Sequence, residues 1–225
     1  AHVLLANWNS LAPGARAEAL NILLSRSEWT LPLLAAVQAG TISAGEIGQV
    51  HQQRLATHSD QAIRDRAQLL FVARNANRQK VLKDYSKVKE LTGSTDKGVA
   101  QFRQSCVFCH RLRGEGNNIG PDLGTVADKS IDMLLVAILD PNQALEAKYV
   151  NYSAATKDGR EVSGVIAAET PNSVTIKNAG GVEEVILRPD IKELKSSGVS
   201  LMPEGFENGL TPQDMADLIA YIRSN

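Results

Sequence analysis

The sequence predicts a mainly α-helical chain of 225 residues that carries a small antiparallel β insert. Three observations support this fold class. Helix start and stop signals recur through about the first ninety residues. Apolar and polar residues then alternate with period two between residues 149 and 194, and turn-forming pairs separate the alternating runs. The last stretch of the chain returns to helical spacing, with a single apolar stripe.

Segment 1–93 is expected to consist of short antiparallel helices joined by short turns. One helix is predicted to begin at Thr30 and Pro32 and to stop before Gly40, with proline at the start and glycine after the end. This arrangement resembles HEAT-like repeats, in which pairs of helices stack into a solenoid. A plain helical bundle is the alternative interpretation.

Further helix signals follow in the same segment. Ser43 and Glu46 have the spacing of a capping box and predict a helix start. Asp60 is the expected N-cap of the next helix, and a last helix is expected to stop at Gly93. The apolar residues of the helix after Asp60 fall on one face, at Ile63, Ala67, Leu70 and Phe71.

The next segment contains two predicted helices separated by a glycine-rich loop. Residues 97–104 predict a helix that leads into a cysteine-containing motif. The loop spans residues 114–124, and a second helix is expected over 130–139, where an Asp-Pro pair ends it.

The alternating stretch predicts four or five short strands, arranged as a small antiparallel sheet or as a barrel of SH3-like or Sm-like pattern. In its first run, Val150, Tyr152 and Ala154 alternate with polar residues. Tight turns are predicted at Asp158-Gly159, at Pro171-Asn172 and at residues 179–181.

A closing helix is predicted after the strands. Thr211 is its expected N-cap, Pro212 its first residue and Asp214 an acid in its first turn. Its apolar stripe consists of Met215, Leu218, Ile219 and Ile222.

The pentapeptide C-V-F-C-H at residues 106–110 is the most informative motif of the chain. C-x-x-C-H is the attachment signature of a c-type haem, in which Cys106 and Cys109 form thioethers and His110 binds the iron. The chain has no other cysteine. A structural zinc site usually needs a second ligand pair, and a thioredoxin-like site needs a preceding strand rather than a helix. One covalent haem c is therefore the expected cofactor.

The elements around the motif resemble class I cytochromes c. In that family a helix leads into C-x-x-C-H, a Gly-Pro-x-Leu loop and a Met-Pro loop follow, and a helix closes the fold. Here Gly-Pro-Asp-Leu lies at 120–123, Leu-Met-Pro lies at 201–203, and the last helix follows. The resemblance implies a cytochrome c domain over 94–225. Because roughly ninety residues separate the C-x-x-C-H and Met-Pro elements, the β segment is interpreted as an insertion at 149–198.

The same resemblance implies roles for individual residues. Met202 would be the sixth iron ligand opposite His110, and the Pro121 carbonyl would accept the His110 Nδ1 proton and orient the ring. The first and last helices would cross, with Gly98 and Phe102 against Leu218 and Tyr221. Apolar residues expected around the haem are Val107, Phe108, Leu123 and Leu201.

The other methionines and histidines are expected to have other roles. Met133 and Met215 lie on apolar helix faces and are expected in the core. His2, His51 and His58 lie in the helical N-terminal part and are expected at the surface.

These observations predict electron transfer by a single haem c with His110 and Met202 as axial ligands, rather than catalysis by this chain itself. Electrons would come from an upstream or partner dehydrogenase and leave to another redox carrier. The alternative is a haem enzyme, or a gas or peroxide sensor, whose sixth iron site is open or displaceable. With its helical segment, the chain resembles the C-terminal haem-binding region of large planctomycete and verrucomicrobial dehydrogenase-like proteins.

The composition limits the kinds of partner that are expected, and the motif limits the cellular compartment. The net charge of −1 argues against a nucleic-acid partner. The longest apolar run, at 133–139, is far shorter than the roughly 20 residues of a membrane-spanning helix. The chain starts at Ala1 without a signal peptide, so we expect a piece of a longer protein. The chemistry of thioether attachment predicts a periplasmic or extracytoplasmic location.

Overall fold

The computed structural model describes residues 1–11, 13–143 and 145–224. About half of the chain is helical, and the C-terminal part contains a five-stranded antiparallel sheet, as the predicted fold class requires. In the described part of the chain, no helix is both long and apolar enough to cross a lipid bilayer. The helices of the N-terminal segment are α1 (His2–Ala6), α2 (Pro13–Leu23), α3 (Ser27–Gln38), α4 (Gln49–Ala56) and α5 (Gln61–Asp84).

The start predicted for α3 was wrong, because the helix begins three residues before Thr30. Thr30 is buried inside it, and its hydroxyl donates to the carbonyls of Leu23 and Arg26, both at 3.0 Å. Pro32 consequently lies within the helix rather than at its first position. The predicted end is confirmed, since Gly40 follows α3 with φ +74°.

The capping box predicted at Ser43 starts only a single 3-10 turn, and α4 begins later, at Gln49. The Glu46 carboxylate bonds to the Ser43 backbone and also binds two distant side chains. It accepts from Trp8 Nε1 at 3.2 Å to each oxygen and pairs with Arg16 at 3.7 Å. Burial raises the pKa of Glu46, and Arg16, Trp8 and the Ser43 backbone oppose that rise. The side chain therefore ties three helical elements together as well as bonding to the start of its own turn.

Asp60 caps α5 as predicted, and its carboxylate accepts from the Ala62 amide at 2.9 Å. The two helices expected after Asp60 are one continuous helix of 24 residues, followed by a 3-10 turn at Ser86–Glu90. The apolar face of α5 is buried at Ile63, Ala67 and Phe71. The likeness of this segment to HEAT repeats stays a prediction.

Three helices surround the C-x-x-C-H motif: α6 (Thr95–Ser105), α7 (Ile131–Leu139) and α8 (Pro212–Arg223). Helix α8 begins with the expected Thr211–Asp214 capping box. The predicted crossing of α6 and α8 is confirmed, with the rings of Phe102 and Tyr221 5.6 Å apart. A Cβ at Gly98 would lie 2.1 Å from the backbone oxygen of Asp217, so this close approach requires glycine.

A short hairpin follows the motif and was not predicted from the sequence. Strands β1 (Arg111–Leu112) and β2 (Glu115–Gly116) pair across Arg113 and Gly114, both of which have positive φ. Two positive φ values match a type I′ turn. Strands of two residues carry no periodic signal, which is why this stretch reads as loop.

The β insert consists of β3 (Val150–Thr156), β4 (Glu161–Glu169), β5 (Ser173–Lys177), β6 (Glu183–Leu187) and β7 (Ile191–Ser200). The order is β6-β5-β4-β3-β7, and all pairs are antiparallel. The turns lie where they were predicted, with positive φ at Gly159, Gly180 and Gly181. Among the described residues the two edge strands do not pair with each other, so this is an open sheet rather than a barrel.

The sheet packs against the N-terminal helices. Arg16 stacks over Tyr152 at 5.7 Å and donates to the Leu194 carbonyl at 3.3 Å. The backbones of Gly45 and Gly198 are so close that a Cβ on Gly45 would meet the Gly198 oxygen at 1.6 Å. The helical segment therefore supports the sheet directly.

The core around the motif is built mainly from α6, α7 and α8 and also includes Tyr85 and Val88 from the end of the helical segment. Strand β7 then returns the chain to the start of β3, where Ser200 pairs with Val150. This return brings Leu201 and Met202 back to the core that contains the motif.

Candidate haem site

The C-x-x-C-H motif forms one turn that continues from α6. The Cys106 amide donates to the Phe102 carbonyl at 2.8 Å, and the His110 amide donates to the Cys106 carbonyl at 2.8 Å. Residues separated by three or four positions share a helix face. As a result Cys106, Cys109 and His110 all face one cavity.

That cavity has a volume of about 910 Å³, near the top of the roughly 300–1,000 Å³ range of small-molecule and cofactor pockets. Its lining includes six of the seven residues expected to bind the cofactor: Cys106, Cys109, His110, Pro121, Leu123 and Met202. Much of the remaining wall is apolar, with Ile119, Leu134, Ile138, Leu201, Phe206 and Leu218. His2, His51 and His58 do not line it.

The His110 ring is fixed by its neighbours. Its Nδ1 lies 2.9 Å from the Pro121 carbonyl oxygen. A carbonyl only accepts hydrogen bonds, so the proton is on Nδ1 and the Nε2 lone pair is available to a metal. Burial lowers the pKa of His110, and the bond to Pro121 opposes part of that fall. The imidazole is therefore neutral at neutral pH, as iron ligation requires.

Gly120 packs against the same ring, and Gly120→Ala is expected to displace it. The added Cβ would lie 2.5 Å from His110 Cε1 and 2.9 Å from Nδ1. We expect the optical spectrum of the ferric holoprotein to lose low-spin character. Gly124→Ala is the control, because its Cβ would approach only the Asp122 side chain, at 3.0 Å. An unchanged spectrum in Gly120→Ala would contradict the prediction.

Burial protonates the two thiols of the motif. It raises the pKa of Cys106 to about 12, with a further contribution from Cys109, and it also raises the pKa of Cys109 itself. Because the thiolate is the reactive form of cysteine, both free side chains are weakly nucleophilic at neutral pH. They face the cavity as protonated thiols.

Two of the expected haem contacts do not line the cavity: Val107, which is partly buried and packs against the core around it, and Phe108. Phe108 is 60% exposed, contrary to the expectation that it shields the haem. It occupies the position between the two cysteines on the opposite face of the turn, so it points to solvent.

Met133 also departs from expectation. It was expected in the core, but it is 43% exposed and lines the cavity, whereas Met215 is fully buried as predicted. Met133 is therefore a second methionine beside the candidate ligand Met202. The helical spacing of α7 puts it near an apolar face but does not show that this face borders a cavity.

The described residues fit a covalently bound haem. Two thiols, a neutral imidazole with a free Nε2 and a methionine line one apolar cavity of suitable size. The sequence model of the cytochrome c family matches residues 95–225, more than half of the chain. No curated protein matches the chain significantly. The chain belongs to the cytochrome c family, whose members carry covalent haem c and generally transfer electrons.

Proposed function

We propose that this chain transfers electrons through one haem c, attached at Cys106 and Cys109 and ligated by His110 and Met202. When bound, the haem supplies an iron that can be reduced and reoxidised. The observation that carries the proposal is the His110–Pro121 hydrogen bond within a cavity that also presents both thiols and a methionine.

The side chains would tune that iron in three ways. The Pro121 carbonyl holds the His110 ring in one orientation and increases the basicity of Nε2. The apolar wall, including Leu123 and Leu201, excludes water and disfavours the more highly charged ferric state. A thioether from Met202 is a soft ligand that also raises the reduction potential.

Two observations favour Met202 over Met133 as the methionine ligand. Met202 is partly buried and packs against the core around the cavity, whereas Met133 is more exposed and lies outside that core cluster. Met202 also lies two residues after the end of β7, and its amide donates to the Ser200 hydroxyl at 3.1 Å. Its backbone is thus fixed beside the cavity.

Optical spectra of Met202→Ala and Met133→Ala test the proposal. The unsubstituted ferric holoprotein is expected to show low-spin haem and a methionine–iron charge-transfer band. Met202→Ala should lose this band and lower the reduction potential, while Met133→Ala should keep both. Loss of the band in Met133→Ala alone would transfer the ligand role to that residue.

Carbon monoxide binding to the ferrous protein distinguishes electron transfer from the alternative function. With methionine bound to the iron, the ferrous protein should bind carbon monoxide weakly and Met202→Ala should bind it readily. Ready binding to the unsubstituted protein, together with a high-spin spectrum, would instead support a haem enzyme or a gas or peroxide sensor.

We also propose redox partners and a cellular location for the protein. Electrons would enter from a dehydrogenase, either on the same polypeptide or in a partner, and leave to another carrier through small, transient contacts. Thioether chemistry supports a periplasmic or extracytoplasmic location. In this proposal the helical segment is a HEAT-like array that joins the cytochrome c domain to the rest of a larger protein.

A further inference from the structure

Arg78 on α5 connects the N-terminal helical segment to the haem domain. Its side chain is only 9% exposed. Nη1 donates to the Leu139 carbonyl at the end of α7 (3.1 Å), and Nη2 donates to Glu207 Oε1 (2.9 Å). Nε lies 3.6 Å from Glu204 Oε2. One buried guanidinium thus holds the end of α7 and two carboxylates together.

Both carboxylates belong to the Met202 loop, which we define as residues 200–210. Asn142 holds this loop from a different direction. Its Oδ1 accepts from the Ser200 amide at 2.8 Å, and its Nδ2 donates to Glu204 Oε1 at 2.6 Å. Ser200 and Glu204 lie two residues before and two residues after Met202. The methionine is therefore at the centre of a five-residue stretch that is anchored at both ends.

The far end of the loop is anchored by the same helix that carries Arg78. Tyr85 directly follows α5, and its hydroxyl contacts the carbonyl oxygens of Glu207 and Leu210. Arg78 and Tyr85 therefore attach the Met202 loop to α5 at three residues of the loop.

The ion pairs of Arg78 are largely buried, so breaking them is expected to be costly. Glu207 is itself largely buried, with 15% of its side chain exposed. Removing one partner of a buried pair leaves a charge without compensation, which is much more costly than losing an exposed pair. Without Arg78, the loop would be expected to move outward so that Glu204 and Glu207 reach water.

We propose that Arg78 is a positioning residue that keeps Met202 at the haem cavity, so that the helical segment controls the sixth coordination position of the iron. This inference rests on the proposed ligation by Met202. Arg78 itself does not line the cavity, so it would act only through the loop. An outward shift of the loop would open the iron to external ligands.

Imidazole binding to the ferric holoprotein tests the role of Arg78. Arg78→Met removes the charge but retains much of the apolar stem. It is expected to tighten imidazole binding by about tenfold or more, since breaking a buried pair destabilises the arrangement that imidazole must displace. The methionine–iron band should weaken in parallel.

Arg16→Met is a matched control. Arg16 is also buried and binds backbone carbonyls and Glu46, but it contacts the sheet and not the Met202 loop. It should leave imidazole affinity and the band unchanged. Equal tightening in both variants would overturn the proposal, because general destabilisation would explain it. Unchanged affinity in Arg78→Met would overturn it as well.

Glu207→Gln tests the same contact from the loop and covers the case in which Arg78→Met does not fold. It should tighten imidazole binding by about threefold or more, as expected for losing a charged hydrogen bond. In the double variant Arg78→Met/Glu207→Gln, the change in imidazole affinity should be smaller than the product of the two single changes. Both substitutions remove the same contact between Arg78 and Glu207. Fully multiplicative effects, or no effect of Glu207→Gln, would count against the proposal. Absence of the methionine–iron band in the unsubstituted protein would instead refute ligation by Met202 itself.

Discussion

The double variant Cys106→Ala/Cys109→Ala is expected to lose all covalent haem. The chain has no other cysteine, so no thiol would remain to form a thioether. Each single variant should retain one thioether. The measurement is the intact mass under denaturing conditions, together with haem staining of a denaturing gel.

Covalent attachment can be separated from haem binding in the same experiment. The apolar cavity and His110 remain in the double variant, so haem could still bind reversibly and be removed on denaturation. A reversibly bound haem stabilises the folded state by an amount that depends on the free haem concentration and on the affinity of the protein for haem. We therefore expect the thermal stability of the double variant to depend on added haem. Met202→Ala is the control, since it should keep its covalent haem. An unmodified mass for the unsubstituted protein from a haem-attaching host would contradict the assignment.

Gly98→Ala is expected to cause a large loss of stability in the haem domain. The Cβ would lie 2.1 Å from the Asp217 carbonyl oxygen and 2.7 Å from Tyr221 Cβ, so the helices α6 and α8 must separate. Overpacking typically costs roughly 1–3 kcal/mol, and a clash with backbone belongs at the upper end. The separation would also disturb the contact between Phe102 and Tyr221.

Denaturant unfolding of the holoprotein measures this cost. The midpoint should fall in Gly98→Ala while the slope stays constant, which is the sign of a change in stability alone. Gly209→Ala is a suitable control, because a Cβ there meets no atom within 4 Å and the backbone φ is an ordinary −120°. A midpoint equal to that of the control would show that the helices do not need glycine at their crossing.

Elements with strong local signals could be predicted from the sequence. The start of α8 combines Thr211, Pro212 and Asp214, and each acts on the same few backbone groups. The turns of the sheet were equally clear, since Gly159 and the glycines at 180–181 adopt the positive φ that other residues avoid. Local chemistry alone determines these structures.

The errors arose where distant residues outweigh a local signal. Glu46 has the spacing from Ser43 of a capping box and bonds to its backbone, but Trp8 and Arg16 also bind the carboxylate, and only a 3-10 turn follows. The predicted start at Thr30 fails because this residue is buried and bonds back to Leu23 and Arg26. In both cases the competing partner could be recognised only in the folded chain.

At the candidate site too, residues in local motifs could be predicted, and residues that depend on distant contacts could not. The C-x-x-C-H, Gly-Pro and Met-Pro elements carry the chemistry in adjacent residues and could be recognised by eye. Arg78 could not, because its partners lie 61 and 129 residues further along the chain. The orientation of Phe108 and the exposure of Met133 likewise depend on which helix face borders the cavity.

The hydrogen bond between the Leu201 amide and the Tyr149 carbonyl, at 3.2 Å, has a consequence for folding. Once the sheet has formed, the chain that enters it at Tyr149 and leaves it at Leu201 behaves as a tight turn. Closing a long flexible loop costs entropy that grows with its length, and contacts between distant residues slow folding. A folded sheet removes about fifty residues from the loop between His110 and Met202. We therefore expect the sheet to form before methionine reaches the iron, and destabilising it should slow the recovery of the methionine–iron band during refolding.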